Sequence, residues 1–122
     1  MPANLPRFPI AGLLLLITAC APDAFRPDPD YESFLNNVSN TCYTKMIGDF
    51  EVGRLINATE GEAATNSGWF LDQTSRLYHG EETRKQWLQA TESFLQAKPT
   101  DEGVECLLGL LPDKPVPPPT GI

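Results

Sequence analysis

Residues 28–46, with the sequence DPDYESFLNNVSNTCYTKM, carry the clearest amphipathic pattern in the chain and set its fold class. Asp28 before Pro29 is typical of a helix start, because aspartate caps the free amides and proline fits the first turn. The apolar side chains that follow cover about 120° of a 3.6-residue wheel, and they are Tyr31, Phe34, Leu35, Val38, Cys42 and Met46. The pattern predicts one helix, ended by Gly48, with Cys42 at the centre of its buried face.

Two further amphipathic helices are predicted downstream. The first spans residues 68–79 and ends before a C-capping glycine. The second begins at Thr83, where Gln86 three residues later completes a capping box. Their stripes are Trp69, Phe70, Gln73, Thr74 and Leu77, and then Trp87, Leu88, Thr91, Phe94 and Leu95. Because a helical stripe is more often core than contact surface, we expect Trp69 and Trp87 to lie in the core.

A last helix is predicted over residues 100–111, and its apolar groups cover more than half of its circumference. We expect it to be the most buried element. It contains Cys106, one of three cysteines in the chain. Because Cys20 belongs to the N-terminal pattern of residues 17–20, Cys42 and Cys106 remain as the one possible pair. A disulfide between them would close a loop of about 64 residues and stabilise the fold by roughly 4 kcal/mol. Metal binding is the alternative use, but there is no CxxC pair or second histidine. The predicted fold is all-α, a small bundle of four to five short helices with one disulfide.

Residues 49–67 lack both caps and a clear stripe, so a short helix, a short strand and an irregular flap all remain open. The second half of this segment, within TEGEAATNSG at residues 59–68, is typical of a loop. A segment of this kind in a small domain is sometimes functional and more often a surface connection. It combines apolar side chains with acidic ones. The candidate contacts for a protein partner are Phe50, Glu51, Glu60 and Glu62.

Residues 1–19 have the three parts of a secretory signal. Arg7 supplies a positive charge, residues 10–17 supply the apolar run, and Ala19 is a small residue before a cleavage point. Eight residues rise only about 12 Å as a helix, well short of the roughly 30 Å hydrocarbon core of a bilayer. The pattern therefore predicts a signal peptide and not a stable membrane span.

Residues 17–20, ITAC, resemble the lipobox of bacterial lipoprotein precursors at all four positions. The alternative is an ordinary signal peptide that happens to contain a cysteine. The resemblance covers residues 1–20 and implies that residues 1–19 are removed and that Cys20 is acylated, which makes membrane lipid the first partner. Three acyl chains anchor a protein stably, whereas one is marginal. Because Ala21 and not aspartate follows, the resemblance implies sorting to the outer membrane, facing the periplasm.

Proline-rich segments flank the predicted helical domain of residues 30–111. Residues 20–29, CAPDAFRPDP, predict a stiff tether of about 30 Å in a polyproline-like conformation. Residues 112–122, PDKPVPPPTGI, predict an extended, disordered tail. Proline-rich tails can also bind aromatic grooves, but no other residue supports that interpretation.

The charge balance restricts the partners. The chain has a net charge of −7, and removing residues 1–19 takes away one basic side chain and leaves −8. An acidic surface disfavours nucleic acid and anionic lipid head groups. It suits a basic protein partner, although acidity can also serve solubility alone.

No residue pattern points to catalysis. His79, the single histidine, adjoins a C-capping glycine, where its charge is favourable for structural reasons. A GxSxG elbow and a free cysteine are both missing from the sequence. Residues 28–39 begin like a calcium loop, but Ser33 and Ser39 replace its glycine and glutamate. We therefore predict no enzyme activity, no metal site and no cofactor.

The sequence predicts a non-catalytic outer-membrane lipoprotein with a structural or protein-interaction role in the envelope. The alternative is an inhibitor or immunity-type binder of an envelope toxin or hydrolase. A third class, a carrier of a lipid or small ligand, would need a cavity between the helices.

Overall fold

The computed structural model describes residues 27–119, so the predicted leader, Cys20 and most of the predicted tether lie outside the described residues. Within this range the helices are α1 Pro29–Cys42, α2 Val52–Asn57, α3 Gly61–Tyr78, α4 Arg84–Leu95 and α5 Glu102–Leu110. Two short strands, β1 Met46–Ile47 and β2 Phe50–Glu51, pair antiparallel between α1 and α2. The predicted small helical bundle is confirmed, with a two-stranded hairpin added to it.

Helix α1 begins as predicted and ends earlier than predicted. The carboxylate of Asp28 accepts a hydrogen bond from the backbone N–H of Tyr31 at 3.4 Å, and proline occupies the first helical position. The helix ends at Cys42 and does not continue to Met46. The reason is a non-local set of hydrogen bonds, because the N–H groups of Val52 and Gly53 donate to the carbonyls of Lys45 and Tyr43 at 2.9 Å. These bonds fold the chain back at the end of α1.

Gly48 lies in the turn of the β hairpin and does not cap α1. Its φ of +60° suits a residue without a side chain. A Cβ atom at this position would also collide with the carbonyl oxygen of Leu95. The N–H of Gly48 donates to Oδ2 of Asp101 at 2.8 Å, and the same oxygen accepts from the N–H of Lys98 at 2.9 Å. Asp101 therefore holds the hairpin turn against the loop between α4 and α5.

Residues 61–67 are helical, although the sequence predicted a loop there. Helix α3 begins at Gly61 and not near residue 68. Ala63 and Ala64 are strong helix formers, and Glu62 in the first turn is favoured by the positive end of the helix dipole. Ser67 is buried where the prediction had placed the start of the helix. The added turns pack α3 against α2.

The core lies between α1, α3, α4 and the elements around β1, and Trp87 and Phe70 are its largest fully buried side chains. The indole N–H of Trp87 donates to Oγ1 of the buried Thr74 at 3.2 Å. The core position predicted for Trp87 is confirmed. Trp69 is only partly buried, and it stacks on the exposed Phe94 with ring centroids 4.2 Å apart. Its predicted core position was therefore wrong in part.

Helix α4 has both hydrogen bonds of the predicted capping box. The N–H of Gln86 donates to Oγ1 of Thr83 at 3.1 Å, and the N–H of Thr83 donates to Oε1 of Gln86 at 2.8 Å. The helix ends at Leu95, before Gln96 in a left-handed conformation with φ of 61°.

The disulfide between Cys42 and Cys106 is present, as predicted, and joins α1 to α5 with the Cα atoms 6.0 Å apart. Cys42 is fully buried and Cys106 is partly buried. Helix α5 is not the most buried element, which corrects the prediction. It packs on α1 and β1 with one face, so that Leu108 and Leu110 stay partly exposed.

The proline-rich segment after α5 folds back onto the domain as far as Val116, so the predicted disordered tail is wrong for residues 112–116. The N–H of Val116 donates to the carbonyl of Tyr78 at 3.1 Å, and its side chain packs partly against the core. Pro115 lies against Gly80, where a Cβ atom would leave too little room for the proline ring. A solvated tail was expected because composition alone does not reveal this docking. Residues 120–122 lie outside the described residues.

Candidate functional site

An open groove of about 540 Å³ lies where the hairpin, α2 and the first turns of α3 meet. We call it the acidic groove. Three of the side chains that line it carry a carboxylate and one carries a guanidinium. Its lining residues are Met46, Asp49, Phe50, Glu51, Arg54, Leu55, Glu62, Ala63 and Asn66.

The short hairpin provides one side of the groove. Its register pairs Met46 with Glu51 and Ile47 with Phe50. Because successive strand residues point to opposite faces, Ile47 is fully buried while Met46 remains 41 % exposed. Phe50 is partly buried against the core. The groove therefore has exposed apolar surface along this side.

Helices α2 and α3 provide the floor and the other side. Leu55 of α2 is 1 % exposed and belongs to the core, so it forms a fixed floor. Arg54, its neighbour, is exposed. Ala63 and Asn66 come from the first two turns of α3, where they are three residues apart and therefore lie on one face of the helix.

The groove carries unbalanced negative charge. Asp49, Glu51 and Glu62 line it together with a single basic side chain, Arg54. Within residues 27–119 the salt bridges join Lys45 to Glu102, Arg76 to Asp72, and His79 to Asp28, so none of the three groove carboxylates has a paired cation. The rim is consequently acidic around an apolar floor.

Three of the four predicted contact residues line the groove, namely Phe50, Glu51 and Glu62. Glu60 lies outside it. Glu60 and Tyr43 instead line a neighbouring, more open groove of about 410 Å³. Arg54 and Ala63 line both grooves.

The predicted contacts did not include six of the nine lining residues, and different signals bear on them. Leu55 was noted only as an apolar side chain of the segment 49–67. Asp49 and Arg54 lie in the segment already singled out, where their charge was the available signal. Met46 continued the helical period of α1 and was therefore assigned to the core. Ala63 and Asn66 fell in the segment predicted as a loop, so no pattern connected them to the site.

His79 occupies a second polar cluster, at the end of α3. Its side chain is 5 % exposed. Nε2 lies 2.7 Å from Oδ2 of Asp28, and Nδ1 lies 2.7 Å from the carbonyl oxygen of Val116. Burial alone lowers the pKa of His79, but the hydrogen bonds to Val116 and Asp28 and the negative charges of Asp28 and Glu81 together outweigh it and leave the pKa above its usual value of 6.5. Both ring nitrogens are occupied by these structural contacts.

The part of the chain from residue 27 to residue 119 contains no group of three or more His, Cys, Asp or Glu side chains that could hold a metal ion. In the same range, no helix is long and apolar enough to cross a membrane.

No protein-family model, no curated protein and no solved structure matches this chain.

Proposed function

We propose that this chain is a lipid-anchored lipoprotein of the bacterial outer membrane whose domain faces the periplasm and acts without catalysis. Its activity is the binding of another envelope protein, and the acidic groove is the binding surface. The observation that carries the binding function is the exposed Met46 and the partly buried Phe50 beside carboxylates that have no paired cation. Exposed apolar surface rimmed by polar groups is characteristic of interaction sites.

The proposed location at the outer membrane rests on the lipobox-like residues 17–20 and on Ala21 after the cysteine. Residues 21–27 separate Cys20 from the cap of α1 at Asp28. In a polyproline conformation this segment would reach about 25 Å. The domain would therefore stay close to the membrane and meet partners in the periplasm near that surface.

A non-catalytic role agrees with the place of the one histidine. A catalytic base needs a free ring nitrogen within reach of a substrate, whereas both ring nitrogens of His79 contact Asp28 and Val116. The inhibitor or immunity-type binder remains the alternative within the same class of binding proteins. Recovery of a toxin or a hydrolase as the partner would favour it.

Two measurements test this proposal. Cells given a radioactive fatty acid should label the wild-type chain and not the Cys20→Ser variant. The acylated chain, solubilised with the envelope, should retain a specific protein. The same chain reduced and alkylated in denaturant, which places an alkyl group on the fully buried Cys42, is the unfolded control and should not. A wild type that takes up no label would end the lipoprotein assignment. Equal capture by the unfolded control would end the binding function.

A further inference from the structure

We propose that the acidic groove takes a basic segment of a partner protein, in which one apolar side chain is flanked by lysine or arginine. The apolar side chain lies over Leu55, between Met46 and Phe50. The flanking cations face Asp49, Glu51 and Glu62. This inference rests on the proposed function, namely that the domain acts by binding protein.

The apolar part of the occupant follows from what the groove exposes. Among the described residues, the large apolar side chains that are exposed are Tyr43, Met46 and Phe94. Tyr43 and Met46 lie on the two neighbouring grooves beside α2, so apolar exposure is concentrated there. Methionine is flexible and polarizable, which suits it to adapting to an inserted side chain. The fully buried Leu55 provides a rigid base for that contact.

The charge of the occupant follows from complementarity. The three groove carboxylates face one guanidinium, that of Arg54, and the described residues supply no further cation within salt-bridge distance. A basic segment would be steered toward this surface, and an acidic one would be rejected by like-charge repulsion. The same argument opposes a nucleic acid and an anionic membrane surface, because both present phosphate groups.

A small molecule fits this groove less well than a protein segment does. Small-ligand sites enclose most of the ligand and fix it with a few precisely placed polar groups. The acidic groove is open, and its carboxylates stand at the rim. Within the described part of the chain, every buried side-chain nitrogen and oxygen already has a hydrogen-bond partner. No unpaired buried side-chain donor or acceptor of this part of the chain is therefore left to orient a small ligand.

The first experiment places a photo-reactive benzoylphenylalanine at residue 46 of the full acylated chain in living cells. The matched control carries it at residue 94, because Met46 and Phe94 are exposed to similar extents, 41 % and 45 %. We expect irradiation at residue 46 to link the chain to a peptide with net positive charge. Residue 94 lies outside the groove and should not give that product.

The second experiment changes the charge of the groove. Glu51→Lys/Glu62→Lys should reduce the cross-link at residue 46 by at least about tenfold and remove its salt dependence. Glu92→Lys/Glu105→Lys makes the same change in net charge at two exposed residues outside the groove, and should leave the yield unchanged. Because lysine at position 62 opposes the dipole of α3, Glu51→Gln/Glu62→Gln is the second variant. It should lower the yield in the same direction with an unchanged melting temperature.

Each outcome decides something. A cross-linked peptide that is acidic or neutral, or an equal loss in the two charge-reversed variants, would overturn the basic partner. Products at residue 94 with none at residue 46 would overturn the acidic groove as the binding surface, both here and in the proposed function, and would leave only protein binding by another face of the domain. If neither position cross-links to any protein, the inference and the proposed function fail together.

Discussion

Nε2 of His79 lies 2.7 Å from Oδ2 of Asp28, which joins the end of α3 to the residue that caps α1. Nδ1 of the same ring lies 2.7 Å from the carbonyl oxygen of Val116. A carboxylate and a carbonyl only accept hydrogen bonds, so the protonated ring, in which both nitrogens donate, is the form that satisfies both contacts. One side chain thus connects the start of the domain to the segment that follows α5.

The stability of the domain should depend on pH through His79. Its pKa in the folded state is raised above the usual 6.5, since the bonds to Val116 and Asp28 and the negative charges of Asp28 and Glu81 together outweigh burial. A group whose folded pKa is raised contributes stability that is fully present below its unfolded pKa and is lost as pH rises through the folded value. We therefore expect the melting temperature to fall as the pH is raised from about 6.5 through the folded pKa.

Proton NMR measures this pKa directly, because the chain has a single histidine. The other groups that face the ring are Glu81, which acts through its charge, and the aromatic rings of Tyr31 and Tyr78 at 6.2 and 5.1 Å. Asp28→Asn keeps a residue that caps helices well but removes the charge, so it should lower the pKa of His79. His79→Gln should remove the alkaline loss of stability. An unchanged pH dependence in His79→Gln would show that another group is responsible.

The pairing of α3 with α4 can be tested at Thr74. Its hydroxyl accepts from the indole of Trp87 at 3.2 Å, and both side chains are fully buried. Thr74→Val keeps the shape but leaves the indole N–H without a partner, and should lower the free energy of unfolding by about 1–3 kcal/mol. Thr74→Ser keeps the hydroxyl but loses one methyl group, and should lower the free energy of unfolding by about 1 kcal/mol. Urea unfolding measures both. A Thr74→Val variant as stable as the wild type would contradict the bond.

The features that the sequence predicted correctly rest on local chemistry. The start of α1 depends on Asp28 and Pro29 alone, and the capping box of α4 depends on Thr83 and Gln86, three residues apart. The disulfide followed from the number of cysteines and from the helical period that placed Cys42 on a buried face. Each of these signals lies within one turn or one stripe, so no knowledge of the tertiary structure was needed.

The features that were missed depend on contacts between distant residues. Met46 continues the period of α1, yet the helix stops because amides of α2 donate to carbonyls beyond its end. Residues 61–67 resemble a loop in composition and become helical where α3 packs on α2. Two of the three carboxylates of the candidate site were proposed from sequence. The wall of the site at Ala63 and Asn66 could not be, since it depends on those helical turns.

Removing the disulfide should destabilise the domain strongly. The bond closes a separation of 64 residues and one of its cysteines is fully buried. Cys42→Ala/Cys106→Ala should lower the free energy of unfolding by about 2–5 kcal/mol. Urea unfolding with and without reductant measures this, and the double variant should show no further loss in reductant. Mass spectrometry of the non-reduced wild type should find the linked peptide. Two free thiols in protein isolated without reductant would contradict the prediction.

Gly48 and Gly61 allow two costs of an added side chain to be compared, backbone strain alone at Gly61 and strain with a collision at Gly48. Both have positive φ, +60° and +66°. A Cβ atom at Gly61 meets nothing within 4 Å, so Gly61→Ala should cost only the left-handed strain of about 1–2 kcal/mol. A Cβ atom at Gly48 would overlap the carbonyl oxygen of Leu95 and push apart the hairpin and the end of α4.

Gly48→Ala should therefore lower the free energy of unfolding by clearly more than Gly61→Ala, as measured by urea unfolding of the two variants side by side. It should also weaken the hydrogen bond from the Gly48 N–H to Asp101, because the turn must move to relieve the overlap. The amide at position 48 should then exchange with solvent faster than in the wild type. Equal losses in the two variants would mean that the turn does not lie against Leu95. The hairpin side of the acidic groove would then need a different placement, since β1 and β2 are joined by this turn.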